Sequence, residues 1–260
     1  MKLSFLNRPD PHLVAMIQTP TENDAINVVK NSIYDGATAF GLQVESLKPE
    51  FQNTECIRRI MTHMGERPVY LTNYRSAQNV GKSDEQLCDE LVEYAKAGAT
   101  LLDVVGDFFG KAPDEIATDS VAIDKQMDVI ERIHHAGAEV LMSSHTMRYM
   151  SGEEVLNLCL KQKQRGADVA KIVTAANNDD EEMENLKTTL LLKKELGIPF
   201  LFLSGGTHYK RHRMLGPVFG CSMYLCVQHH YTGSTKTQPM LKAVKAVLNN
   251  FDYLPDRIFD

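Results

Sequence analysis

Lys171 stands inside Ala167-Asp168-Val169-Ala170-Lys171-Ile172-Val173-Thr174-Ala175-Ala176, a run that otherwise reads as a buried strand. Short β-branched runs of this kind suit the interior of a parallel sheet, covered on both faces. Desolvation disfavours an ammonium, and a lysine so placed is how a protein prepares an amine to form an imine with a carbonyl compound. One strand earlier, Glu139-Val140-Leu141-Met142-Ser143-Ser144-His145 ends on a histidine, a side chain that moves protons near neutral pH. The competing reading is a Lys that snorkels from an edge strand and a His that caps a loop.

The elements that must position this pair repeat along the chain. Apolar runs at His12–Gln18, Ala39–Glu45, Val69–Tyr74, Leu101–Asp107, Glu139–His145, Val169–Ala176, Pro199–Ser204 and Ser222–Gln228 read as strands, with helix-period segments between them. Ser83 followed by Gln86 is a capping-box start for one such helix, Ser83–Ala97. Four helices close on similar turns, at Gly36, Gly98, Gly137 and Gly166, where glycine supplies the left-handed residue that releases the chain into the next strand. Eight strand–helix units in 260 residues predict one domain, a single (β/α)8 TIM barrel over 1–260; an open doubly wound sheet is the competing topology. Chemistry in such a barrel gathers at the carboxyl ends of the strands. His145 lies there, at the catalytic end of the strand next to that of Lys171.

Composition narrows the function further. Hydrophobic residues make up 43% and charged residues 24%, the balance of a soluble globular protein. The net charge of −6 gives no general attraction to nucleic acid. No apolar stretch approaches the ~20 residues needed to span a bilayer, and no signal-peptide core forms at the polar-interrupted start. Five scattered cysteines, without a Cys-x-x-Cys pair, read as reduced thiols of a cytoplasmic protein. His208 and His212 alone have metal-like spacing and no carboxylate joins them, so no metal is expected.

The chain resembles the type I 3-dehydroquinases, the Schiff-base dehydratases of the shikimate pathway, over nearly its whole length. The carriers are Val140-Leu141-Met142-Ser143-Ser144-His145, Gly166-Ala167-Asp168-Val169-Ala170-Lys171-Ile172, Leu71-Thr72-Asn73-Tyr74-Arg75-Ser76-Ala77 and Arg213-Met214-Leu215-Gly216-Pro217-Val218-Phe219-Gly220. The resemblance implies that Lys171 forms the imine, and that His145 removes the adjacent proton, protonates the departing hydroxyl and assists in making and hydrolysing the imine. It implies a small keto acid as substrate, with no metal or organic cofactor, and a homodimer. Arg213 matches the carboxylate-binding arginine and Arg75 another arginine of the active site. Ser234 and Gln238 match a serine and glutamine in the loop after the last strand. Glu45 and Asp103 fall where the family tends to be acidic; either could relay protons near Lys171 or be satisfied by backbone amides.

Three positions depart from the pattern. Gly41 and Gln43 stand on the second strand where the family carries an acid and an arginine. Asn79 stands where its glutamate orients the histidine. These changes imply weak activity on 3-dehydroquinate itself, because a site that loses polar partners for a substrate discriminates poorly in its favour. Two alternatives follow. The turn Gly205-Gly206 before a basic helix start could cradle phosphate, which would fit a class I aldolase acting on a phosphorylated aldehyde or ketone. A non-catalytic binding homologue would keep the fold without turnover.

Overall fold

The computed structural model describes residues 3–6 and 10–251. Eight parallel strands alternate with eight helices: β1 (His12–Ile17), α1 (Glu22–Asp35), β2 (Ala39–Gln43), α2 (Thr54–Thr62), β3 (Val69–Thr72), α3 (Asp84–Lys96), β4 (Leu101–Val105), α4 (Ser120–His135), β5 (Glu139–His145), α5 (Gly152–Gln164), β6 (Val169–Ala176), α6 (Asp179–Glu195), β7 (Phe200–Gly206), α7 (Lys210–Phe219), β8 (Met223–Cys226) and α8 (Leu241–Phe251). Ladders run from β7 through β1 and on to β8. The seam between β7 and β8 is drawn together where the Ser222 amide donates to the Phe200 carbonyl at 2.9 Å. This is a nearly closed (β/α)8 barrel, as the strand–helix alternation predicts.

Alternation within each strand sorts the apolar residues into two cores. Val14, Met16, Tyr70, Leu101, Leu141, Val169 and Leu201 fill the barrel interior. Leu13, Phe40, Leu42, Leu102, Val140, Ala170 and Ile172 face the helices. Strands β5 and β6 have the bounds expected from the sequence. The Ser83/Gln86 capping box opens α3, and both of its hydrogen bonds form. The acidic run Asp179-Asp180-Glu181-Glu182 heads α6, where it offsets the positive end of the helix dipole.

Candidate functional site

Parity on β6 turns Lys171 inward between Val169 and Val173, and its side chain is only 4% exposed. The ammonium has three protons and finds three acceptors: Asp103 Oδ2 at 3.1 Å, the Tyr70 hydroxyl at 3.0 Å and the Tyr74 hydroxyl at 2.6 Å. Asp103 on β4 is fully buried. Its Oδ1 accepts from the Ser143 hydroxyl, and its Oδ2 accepts from the hydroxyls of both tyrosines. Burial alone would raise the Asp103 carboxyl. The Lys171 ammonium, with the Ser143, Tyr70 and Tyr74 hydroxyls, outweighs that and holds it below the usual carboxylate range. Burial, with Asp103 beside them, pushes both tyrosine hydroxyls well up, so they stay protonated donors. A buried charge survives only when paired and hydrogen-bonded, and this cluster meets both conditions.

His145 closes β5. Its Nδ1 lies 2.8 Å from Glu115 Oε2, and the same oxygen accepts the His145 amide at 2.8 Å. A carboxylate only accepts, so this bond places a proton on Nδ1 and, in the neutral ring, leaves the Nε2 lone pair free. Glu115 comes from the long connection between β4 and α4 and sits in the left-handed region at φ 46°, a conformation few non-glycine residues adopt. Its carbonyl accepts from the Ser144 hydroxyl at 2.8 Å, and buried Arg165 ties the flanking segment down through the carbonyls of Gly106 and Ala117. Glu115 therefore supplies the carboxylate that the sequence comparison expected at position 79. Asn79 is buried and donates instead to Asn73 Oδ1 at 2.7 Å and the Tyr74 carbonyl at 3.0 Å, bracing the turn that carries Tyr74. The ring of Tyr74 meets His145 edge-on with centroids 5.4 Å apart, which joins the lysine cluster to the histidine.

Glu45 lies one layer away. Thr72 donates to its carboxylate at 3.0 Å, and the Tyr74 amide approaches at 3.4 Å. Burial raises its pKa to about 7. Between pH 4.5 and 7 the folded protein keeps this proton while the unfolded chain releases it, so the residue costs stability as pH rises through that window. Glu45→Gln is expected to be stabilising by about 3 kcal/mol above pH 7 and near neutral at pH 4.5. Denaturant midpoints at the two pH values check this. A constant difference would place the ionisation elsewhere.

Gln43 is held by Gln18, whose amide donates to it at 2.8 Å and to Thr235 at 2.7 Å, so β1, β2 and the loop after β8 are joined at the mouth. Gly41 lies beside Tyr70 in the β2–β3 ladder. A Cβ on Gly41 would stand 2.2 Å from Met16 Sδ and 3.3 Å from the Tyr70 ring.

Arg213 is placed by α7, whose first turn is capped from outside: buried Glu182 accepts the amides of Arg211 and His212. Arg213 Nε donates to the Ser204 carbonyl at 2.8 Å. Burial lowers it to about 10, which leaves it cationic at neutral pH. Among the described residues no carboxylate pairs with it. It lines a cleft of about 240 Å³ together with Lys210, His230, Lys236 and Gln238. Gln238 Oε1 is buried there without a hydrogen-bond partner. Ser234 turns back on its own loop, donating to the Tyr231 carbonyl at 2.9 Å and accepting the Tyr231 amide at 3.1 Å.

Arg75 departs from the expectation of a substrate contact. Both edges of its guanidinium are engaged, by Asp84 at 2.6 and 2.8 Å and by Asp107 at 2.6 Å, and it stacks 4.8 Å over the Phe108 ring. Four of its five N–H donors are spent on Asp84 and Asp107, tying the β3–α3 loop to the β4–α4 loop and leaving one on Nη1.

With this geometry in view, the model of the type I 3-dehydroquinase family matches residues 13–254. The chain belongs to this family. It is 26% identical over 178 residues to the 3-dehydroquinate dehydratase of Alkaliphilus oremlandii, an alignment covering 65% of this chain and 65% of that relative. The 3-dehydroquinate dehydratase of Clostridium kluyveri is 26% identical over 171 residues, 64% of this chain and 63% of its own length. The chain thus aligns with slightly less than two thirds of the length of these curated relatives. Its fold matches 3-dehydroquinate dehydratase from Geobacillus kaustophilus with a TM-score of 0.80 at 15% identity, covering 95% and 93% of the two chains. The type I enzyme of Clostridium difficile matches with a TM-score of 0.79 at 19% identity, covering 95% and 94%. At these identities the structural likeness speaks for the barrel.

Family membership disfavours the aldolase alternative, and the Gly205-Gly206 turn agrees. Both glycines extend the β7 ladder against Ala175 and Ala176. The next two amides, Thr207 and His208, both donate to the Ala176 carbonyl, at 3.0 and 2.9 Å, and so are not free to cradle a phosphate. His212 is committed to the core, with one ring nitrogen accepting the Ser204 amide at 3.2 Å and the other 3.0 Å from the Thr189 hydroxyl. Among the described residues no helix is long and apolar enough to cross a membrane.

Sequence reasoning missed Glu115, Tyr70 and Tyr74 as members of the site. The unusual length of the β4–α4 connection was the one available signal for Glu115. For the tyrosines it was their spacing of four across the end of β3, which brings two rings to one side of the barrel mouth.

Proposed function

We propose that the protein is a Schiff-base hydro-lyase that eliminates water from 3-dehydroquinate or a related β-hydroxy keto acid. Lys171 forms the imine with the ketone. His145 removes the proton on the neighbouring carbon, and the electron pair released by that C–H bond expels the β-hydroxyl, which leaves as water after His145 returns the proton. The observation that carries this reading is the buried Lys171 ammonium on Asp103, one tyrosine ring away from a histidine whose Nδ1 is held by Glu115. Asp103 would neutralise the iminium as it neutralises the ammonium.

In the same reading Arg213 holds the substrate carboxylate, and Gln238, with its unpartnered carbonyl oxygen, takes a donor from the substrate. Ser234 shapes the loop beside them, and Gln43 closes the mouth. Arg75 serves as a brace between loops. The five cysteines are buried and unpaired, which suits a reducing, cytoplasmic setting, and a homodimer belongs to the same proposal.

Arg213→Lys keeps a charge but loses the planar fork. It is expected to raise KM for keto acids by roughly tenfold or more, the effect of about one lost charge-assisted hydrogen bond. Simple ketones without an acid group should be unaffected. Equal losses on both would remove Arg213 from carboxylate recognition.

The reading is tested by comparing kcat/KM on 3-dehydroquinate, followed by the ultraviolet absorbance of the conjugated product, with kcat/KM on deoxyribose 5-phosphate. Dehydration is expected, weaker than in relatives that keep an acid and an arginine at positions 41 and 43. Efficient cleavage of the phosphorylated sugar without dehydration of the keto acid would overturn the reading.

A further inference from the structure

Tyr70 and Tyr74 lie closer to the reacting nitrogen than any group the mechanism above employs. Tyr70 comes from the inner face of β3 and is fully buried. Its ring lies beside Gly41, where an added Cβ would stand 3.3 Å from it and 2.2 Å from Met16 Sδ. Tyr74, two residues beyond β3, is half-buried. Its hydroxyl is 2.6 Å from Lys171 Nζ, donates to Asp103 Oδ2, and rides on a ring packed edge-on against His145.

We propose that Tyr74 is a catalytic residue for imine formation and hydrolysis: its hydroxyl carries protons between Lys171 Nζ, Asp103 and the substrate oxygen that leaves as water. This rests on Lys171 forming the imine.

The proton count closes on these groups alone. One ammonium proton passes to Tyr74 as the Tyr74 proton passes to Asp103, leaving a neutral amine and a neutral carboxyl. The Nζ lone pair then adds to the ketone carbon, the C=O π pair moves to oxygen, and that oxygen takes the proton back from Asp103 through Tyr74. The nitrogen now carries two protons and the positive charge. Its second proton follows the same route to the hydroxyl as the nitrogen pair forms C=N and the C–O bond breaks, releasing water. The iminium keeps one proton and its charge, facing the Asp103 carboxylate once more. Tyr70 shares the Asp103 oxygen and the Lys171 ammonium but is buried beneath Tyr74, so it positions the lysine without reaching the substrate.

The test is the rate at which borohydride-trappable adduct appears on Lys171 after mixing with 3-dehydroquinate, measured against imidazole concentration at fixed pH. For Tyr74→Phe, which keeps the ring against His145, adduct formation is expected to slow by roughly 10²-fold, the contribution of a positioned proton donor, and to recover with added imidazole. Tyr70→Phe is expected to stay within about tenfold of wild type, below the usual contribution of such a donor, without rescue. Wild-type adduct formation should not respond to imidazole, a readout independent of whether either variant folds. The inference is overturned if Tyr74→Phe traps at the wild-type rate, if its slow trapping is not rescued, or if imidazole accelerates the wild type. Wild-type protein that turns over 3-dehydroquinate but gives no Lys171 adduct would instead overturn the Schiff-base reading on which the inference depends.

Discussion

Lys171→Ala is expected to lose the imine adduct altogether and, with it, dehydration to the level of the uncatalysed reaction. The sequence alone suggests that this truncation leaves the fold untouched, because it removes a buried ammonium. The structure changes that expectation. Asp103 is fully buried, and Lys171 is its only cationic partner among the described residues. Removing the lysine strands a carboxylate, and breaking such a buried pair from one side costs about 3–5 kcal/mol. The hydroxyls of Ser143, Tyr70 and Tyr74 still donate to Asp103 and should hold the loss toward the lower end. The penalty should shrink as pH falls and the stranded carboxyl takes up a proton. Lys171→Ala combined with Asp103→Asn should regain much of the stability and none of the adduct. Thermal denaturation of both variants, with adduct mass on each, separates the chemical role from the structural one. A Lys171→Ala protein with full activity would remove the imine from the mechanism.

His145→Ala is expected to lower kcat by roughly 10²-fold or more, the usual contribution of a positioned acid or base. Trapping at Lys171 should persist in this variant, because the lysine's own partners are Asp103, Tyr70 and Tyr74. Glu115→Gln should fall between this variant and wild type. The amide can accept through its oxygen and so still orient Nδ1–H, but it no longer offsets the charge of the imidazolium formed when the proton is taken. Steady-state rates and trapped adduct for the three proteins give the comparison. A fully active His145→Ala enzyme would move the base to another group, with Glu45 and Asp103 next in line.

Much of this arrangement is legible in the residues. The apolar runs that end on His145 and surround Lys171 have the lengths of β5 and β6, since a strand buried on both faces must be apolar from end to end. Strand parity alone places Asp103 on the inner face with Lys171. Less is legible where partners are distant in sequence and lie in irregular backbone. Glu115 reaches His145 from a loop that no periodicity constrains, 30 residues away, through a left-handed residue that propensity argues against. Arg75 has the type and position of a substrate ligand, and only the folded loops reveal Asp84 and Asp107 on either side of it. The tyrosine pair is hidden for another reason. Each ring reads as ordinary core, and its meaning depends on Lys171 and Asp103, which lie on other strands.

The most direct test of the central claim is mass spectrometry of the intact protein and its peptides after borohydride reduction in the presence of 3-dehydroquinate, with other keto acids offered in parallel. The account predicts a single stable adduct on the peptide containing Lys171, formed with at least one β-hydroxy keto acid and absent from Lys171→Ala. No adduct with any of them, or an adduct on a different lysine, would contradict it.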